Sequence, residues 1–147
     1  MSKILIKKFN ELSLTELYAI LQLRSEVFVV EQDCVYQDID FKDQKAIHLF
    51  YTKNDQVIAY TRLFGPGNYF KEASIGRVIV QKKFRKEGFG HQLMDASIQT
   101  ITEKFKTSII TISAQTYLQK FYESHNFNQI GEAYLEDGIP HIKMIKK

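Results

Sequence analysis

Apolar and polar residues alternate along "KILIKKF", Lys3 to Phe9, and this alternation predicts a first strand. Ser13 followed by Glu16 forms a capping-box start, and the helix it opens carries Leu14, Leu17, Tyr18 and Leu21 on one face. Periodicity is mixed through "LRSEVFVVEQDCVYQDIDFKD", which predicts a short helical turn at most and then a polar, acidic stretch. "IHLFYTK" and "QVIAYTRLF" flank Asn54-Asp55 as a hairpin, and the loop "GPGNYF" leads into the strand "SIGRVIV". Beyond Gly90, Leu93, Met94, Ile98, Ile101 and Phe105 recur at helical spacing ahead of the strand "SIITISA". Thr116 and Gln119 predict a second capping box, opening a short helix with Leu118, Phe121, Tyr122 and His125 along one side. Asn126 suits the left-handed residue that ends it, and "NQIGEAYL", "EDGIP" and "HIKMI" close the chain as a hairpin. The order β-α-(α)-β-β-β-α-β-α-β-β predicts an α/β domain: a mixed, mostly antiparallel sheet, helices on both faces, and one parallel crossover between Ser74 and Ala114.

Length changes this picture little, because 147 residues without a linker or internal repeat make one domain, residues 1–147. Charge excludes more. Against 17 acidic residues stand 20 basic ones, scattered among the acids rather than gathered on a basic face, so no nucleic acid is expected as a partner. No apolar run approaches the roughly 18–20 residues of a membrane span, and no leader or lipidation signal is visible, so no membrane association is expected. The single Cys34 rules out an internal disulfide, and a cytoplasmic location is the expectation. Cys34 has no defined histidine partner as a nucleophile, and His48, His91, His125 and His141 show no ligand-like spacing, so no metal is expected.

Lys82, Lys83, Arg85 and Lys86 crowd in just before Gly88-x-Gly90, where a strand feeds a helix. Free backbone N–H groups and the positive end of a helix dipole make such a turn a phosphate site, although glycine before a helix is also ordinary turn chemistry. No Gly-Lys-Ser/Thr follows, so it is not a P-loop, and Gly88-x-Gly90-x-x-Leu93 lacks the third glycine of a dinucleotide fingerprint.

"VIVQKKFRKEGFG" resembles the coenzyme A signature of the GNAT acetyltransferase superfamily, with Arg85, Gly88 and Gly90 in the positions of Arg/Gln-x-x-Gly-x-Gly/Ala. "QTYLQKFYESHNF" is similar to the family's Asn-x-x-Ala-x-x-Leu-Tyr-Glu-x-x-Gly-Phe segment, with Phe121-Tyr122-Glu123 and Phe127 in register. "RSEVFVVEQDCVYQDIDFKD", "IGRVIV", "SAQ" and "EDGIPHIKM" extend the resemblance to the ElaA-type subgroup. The chain departs from the general pattern at Lys86-Glu87, where Gly-Lys is usual, at Gln115 in the Asn position, and at Asn126 in place of Gly.

The resemblance implies the GNAT acyl-CoA N-acyltransferase fold with a V-shaped splay between strands 4 and 5, and acetyl-CoA as co-substrate without a metal. The pantetheine arm would pair with the backbone at Val78, Ile79 and Val80. The turn Arg85, Lys86, Glu87, Gly88, Phe89 and Gly90 would hold the pyrophosphate, with Gln115 nearby. Lys82, Lys83 and Lys86 remain readable as solvated charges that draw in the polyanion. Tyr122 matches the family's general acid, while Leu118 and Phe121 on its face leave core packing open. A backbone N–H near Val78 would meet the oxyanion.

The acceptor side is less defined. Glu26, Glu31, Asp33, Asp38, Asp40 and Asp43 face only Lys42 within their stretch, which suits either a pocket for a cationic amine or a solvated loop. Glu31, Asp40, His48 and His141 are the candidates there, and each histidine is readable as a base or as a structural hydrogen-bonding residue. The expected reaction is direct attack of a primary amine, from a small molecule or a peptide, on the thioester. A homodimer is also open. Two other readings stay open: a coenzyme A-binding regulatory module without catalysis, and an acyl-homoserine-lactone synthase, which "LRSEVFVVEQ", Asp38, Asp40, Asp43 and "TRLFGPGNYF" resemble.

Overall fold

The computed structural model describes residues 2–147. Strand β1 is Lys3–Lys8, helix α1 Leu14–Ser25, β2 Ile47–Lys53, β3 Gln56–Phe64, β4 Ala73–Val80, α2 Phe89–Phe105, β5 Ile110–Gln115, α3 Gln119–Glu123, β6 Asn128–Glu136 and β7 Ile139–Lys146. The strands form one mixed sheet in the order β1-β2-β3-β4-β5-β7-β6, and β4 beside β5 is its parallel pair. The expected element order and the crossover through α2 are present. Asn54 and Asp55, with φ of 52° and 62°, make the left-handed two-residue turn of the β2–β3 hairpin, and Asp137 and Gly138 do the same between β6 and β7.

Each face of the sheet carries its own core. Leu93, Met94 and Ile101 of α2 pack on Leu49, Ile58, Leu63, Ile75 and Ile112, with the buried Thr61–Ser97 hydrogen bond (2.8 Å) tying α2 to β3. On the other face Ile20, Leu23 and Val27 pack on Phe50, Tyr60 and Ile79. That second core corrects the expected helix face, because Leu14 is 87% and Tyr18 79% exposed. Arg24 fixes the rotation of α1. Its guanidinium is buried against Asp38 and Asp43, and Ile20, Leu23 and Val27, spaced along the same stripe, must follow it inward.

Two other expectations need correction. Helical structure does not stop after a short turn beyond Ser25; it continues as a π-helical turn over Glu26–Glu31. Thr116 and Gln119 form no capping box, since Thr116–Leu118 is a 3-10 turn without a side-chain cap and α3 follows directly. The capping box at Ser13 and Glu16 is present, with Glu16 N–H donating to Ser13 Oγ (3.0 Å) and Ser13 N–H to Glu16 Oε1 (2.8 Å).

Candidate active site

β4 and β5 pair only at Ala73↔Ile110 and Ser74↔Thr111, then diverge. The cause lies on the far side of β4. There Arg77 and Val78 together face the single residue Thr61, a β-bulge that bends β4 away, and Arg77 takes a left-handed φ of 50°. Asp38 holds this strained residue, accepting from Arg77 Nε at 2.7 Å. Past Ser74 the backbone edge of β4 therefore faces a cleft instead of a strand.

The cleft has two continuous halves. Val27, Glu31, Val80, Arg85, Gly90 and Phe121 line one, about 420 Å³. Cys34, Tyr36, Arg77, Ser113, Glu136 and His141 line the other, about 100 Å³. Phe28, Gln32, Val78, Gln115, Leu118 and Tyr122 border both. The π-helical turn sets Phe28 and Glu31 over the opening, and Gln32 Nε2 donates across it to Gln115 Oε1 at 3.2 Å.

Tyr122 stands at the junction of the halves, 6% exposed. Burial pushes its phenol well above the usual range, and no side-chain hydrogen bond acts on the hydroxyl among the described residues. The hydroxyl therefore keeps its proton at neutral pH. The ring also packs, meeting Phe121 and Phe127 edge-on.

At the larger half, Lys86 and Gly88 are both left-handed, with φ of 70° and 84°, and turn successive N–H groups outward ahead of α2. Among the described residues no side chain caps α2, so its first N–H groups stay available. Glu87 is exposed, and Phe89 sinks its ring into the core, leaving only its backbone for the turn. Ile79 likewise buries its side chain in the second core. The His91 and His125 rings meet at 2.9 Å beside this turn, with His125 against Asp95 at 3.4 Å, a chain that sequence spacing does not reveal.

The four acceptor-side candidates do not gather. Glu31 lies in the larger half, where its carboxylate takes both Nη1 and Nη2 of Arg85 (2.8 and 3.0 Å) while Arg85 Nε donates to Val80 O (2.9 Å). Asp40 lines neither half. It pairs with Arg62 at 2.8 and 2.9 Å, and the Arg62 guanidinium lowers its carboxyl to about 2, overcoming the opposing effect of burial. Asp38 and Asp43 are likewise consumed by Arg24, Arg62 and Arg77, so the acidic stretch is mainly the counter-charge of three arginines rather than an amine pocket. Burial lowers the pKa of His48, whose Nε2–H donates to Asp43 O (2.9 Å) while Nδ1 accepts from Tyr60 (2.6 Å), so it is a structural histidine. Of the four only His141 lines the smaller half. Sequence reading missed Phe28, Gln32, Arg77, Ser113 and Glu136, although "EDGIPHIKM" already held Glu136 beside His141.

A family model described as acetyltransferase (GNAT) domain matches residues 11–147. The chain belongs to the GNAT acetyltransferase family. Protein ElaA of Escherichia coli is 44% identical over 140 residues, covering 94% of this chain and 92% of that protein, and its crystal structure superposes with a TM-score of 0.93. The crystal structure of an acyl-CoA N-acyltransferase from Pseudomonas aeruginosa is 40% identical, covers all of both chains and has a TM-score of 0.95. This GNAT protein is thus an acyltransferase of ElaA type. A CoA-dependent acyl-homoserine lactone synthase also superposes, with a TM-score of 0.80 at 15% identity over 99% of this chain and 82% of that one, which shows a shared GNAT fold and nothing finer. No helix of this GNAT chain among the described residues is long and apolar enough to cross a membrane.

Proposed function

We propose that the protein transfers the acetyl group of acetyl-CoA to a primary amine of a small molecule or peptide, by direct attack on the thioester, within one domain of residues 1–147. The observation that carries this reading is the cleft opened between β4 and β5, with the unpaired β4 edge on one wall and Tyr122 lining both of its halves. The Val78 and Val80 backbone would take the pantetheine amides as a neighbouring strand would. N–H groups from Arg85 to Gly90 would hold the pyrophosphate, helped by the α2 dipole.

An N–H near Val78, displaced by the bulge, would donate to the oxygen of the thioester carbonyl as it gains charge. Tyr122 would give its proton to the departing thiolate and regain one from the newly acylated nitrogen. Burial makes the phenol a weak acid, but the thiolate emerges into the same poorly solvated space, which disfavours both anions together.

Tyr122→Phe tests this reading, because it keeps the ring packed on Phe121 and Phe127. Coenzyme affinity by calorimetry should hold while kcat for thiol release with an amine falls roughly 10²–10⁴-fold, the usual worth of a positioned general acid. Wild-type turnover of the variant where chemistry limits the rate would remove Tyr122 from the reaction. Coenzyme binding by the native protein without thiol release on any amine would instead establish a binding module.

A further inference from the structure

The smaller half of the cleft holds a group of side chains that the coenzyme chemistry leaves unused. His141, only 7% exposed, is fixed by a 2.7 Å hydrogen bond between its Nδ1 and Ile139 O. A carbonyl can only accept, so Nδ1 carries a proton, and in the neutral tautomer Nε2 presents its lone pair. That lone pair looks at Glu136 Oε2 from 3.4 Å. Glu136 is itself held, because its Oε1 accepts from Ser113 Oγ at 3.2 Å and Ser113 Oγ is hydrogen-bonded by the Tyr134 hydroxyl. The Tyr134 ring stacks on His141 at 6.2 Å with 23° between planes. β5 supplies Ser113, β6 supplies Tyr134 and Glu136, and β7 supplies His141, which lies in register with Gln115 of β5 on one side and Tyr134 on the other. A neutral ring thus sets two proton acceptors side by side, which a donor with more than one N–H can serve together, and a protonated ring sets an imidazolium against the carboxylate.

We infer that Nε2 of His141 and the Glu136 carboxylate together form the acceptor-amine site, taking the head of a compact primary alkylammonium, with His141 as the catalytic base, Glu136 as the carboxylate that binds the ammonium, and Ser113 and Tyr134 as positioning residues. This rests on the acetyltransferase reading for the fate of the amine. The ammonium donates one N–H to Glu136 and gives another proton to His141 Nε2. The ring becomes an imidazolium held by Glu136, and the nitrogen lone pair so released forms the C–N bond at the thioester carbon. The C–S bond breaks with its electron pair on sulfur, which takes the Tyr122 proton, and the acylated nitrogen returns a proton to Tyr122. The net products are the acetamide, the thiol and one proton on His141, which solvent removes. A cavity of about 100 Å³, walled by Phe28, Tyr36 and Ile139 beyond these groups, fits a short aliphatic chain.

The charged and titratable groups facing His141 are Tyr134 and Glu136 of β6, Asp137 of the following turn, Tyr122 of α3, and Cys34, Tyr36 and Arg77 across the cavity. Arg77 is engaged with Asp38, which leaves Glu136 as the near partner of an imidazolium. Glu136→Gln removes that partner and should shift the acid limb of kcat/KM to lower pH. His141→Asn keeps an N–H for Ile139 O, and should cost roughly 10²–10³-fold in kcat/KM with coenzyme affinity unchanged.

The deciding experiment uses imidazole ¹⁵N shifts of the full-length protein, which need no turnover. The neutral His141 ring should show the Nδ1–H tautomer. Propylammonium chloride and Nα-acetyl-lysine methylamide, added separately, should each shift its Nε2 in the native protein, and neither should do so in Glu136→Gln. Propyltrimethylammonium, equally charged but without N–H, should leave it unmoved. No shift with either amine, an equal response to the trimethylated cation, or a folded His141→Asn variant with native kcat/KM and pH profile would each overturn the inference. Specific amine shifts in a native protein that releases no thiol from acetyl-CoA would uphold the amine site and refute the acetyltransferase reading alone.

Discussion

Arg85 shows how one side chain can serve two states of a site. The signature position that should meet phosphate is occupied by an internal contact, with Glu31 on its guanidinium face and Val80 O on Nε. Val80 is also where the pantetheine is proposed to pair, so ligand entry has to compete with this contact. The ion pair is partly exposed and worth little in itself, at most about 1 kcal/mol. Glu31→Gln should therefore tighten coenzyme A binding a few-fold by calorimetry in low salt, and the gain should shrink as salt screens the phosphates. A looser coenzyme complex in that variant would mean that Glu31 supports the bound state. The same contact places Glu31 in the larger half with Arg85, because chain proximity to Asp33 and Asp38 carries no information about which way the last helical turn faces.

At the scale of elements, the turn between β4 and α2 depends on backbone handedness more than on space. Gly88 has φ of +84° and nothing within 4 Å of where a Cβ would stand, whereas a Cβ on Gly90 would only touch the Phe121 ring at 3.5 Å. Gly88→Val should strain the left-handed cap, turn its N–H away and raise the coenzyme A dissociation constant by about 10-fold or more, about 1.4 kcal/mol. Gly90→Ala should leave the melting temperature close to native, so any loss of affinity in it reports ligand approach alone. Equal affinity of Gly88→Val and native protein would show that the turn is not the phosphate cradle. The glycines were legible in sequence, as was the helix after them. The bulge at Arg77–Val78 was not, because an Arg in an alternating strand gives no sign of a positive φ.

For the whole molecule, the buried arginine–aspartate network joins α1, the segment before β2, and strands β3 and β4. Arg24 and Arg62 both donate to Asp43 Oδ1, at 2.7 and 2.9 Å, and Arg77 and Arg24 share Asp38. Asp43→Ala would take one of two carboxylates from each of two buried guanidinium groups, leaving Arg24 with Asp38 and Arg62 with Asp40, and should lower unfolding stability by about 3 kcal/mol in urea. The arginines hold the carboxyl groups of Asp40 and Asp43 below the usual carboxylate range against the opposing effect of burial, Asp40 at about 2. A depressed carboxyl adds stability that is complete above its unfolded value near 4 and vanishes as pH falls through the folded one. Stability should therefore be flat above about pH 5 and decline from about pH 4 toward 2, and Asp40→Asn should flatten that decline by about 2 kcal/mol. An acid limb unchanged in Asp40→Asn would place the linkage elsewhere.

Sequence by itself determined the order of elements, the crossover, the Asn54-Asp55 and Asp137-Gly138 turns, the glycine turn and the family, because each rests on short-range rules of period, handedness and motif. It pointed to Tyr122 through a motif register, and offered His141 and His48 together without a means of separating them. Only the tertiary structure decided those matters, since burial and partners are set by strands far apart in the chain. His48 is spent between Tyr60 and Asp43, while His141 faces a cavity and Glu136. Three aspartates that looked like a field for an amine are neutralised by Arg24, Arg62 and Arg77, which lie from 14 to 39 residues away from them. Local pattern fixes which elements form; which charges remain free to act depends on what the folded chain lays against them.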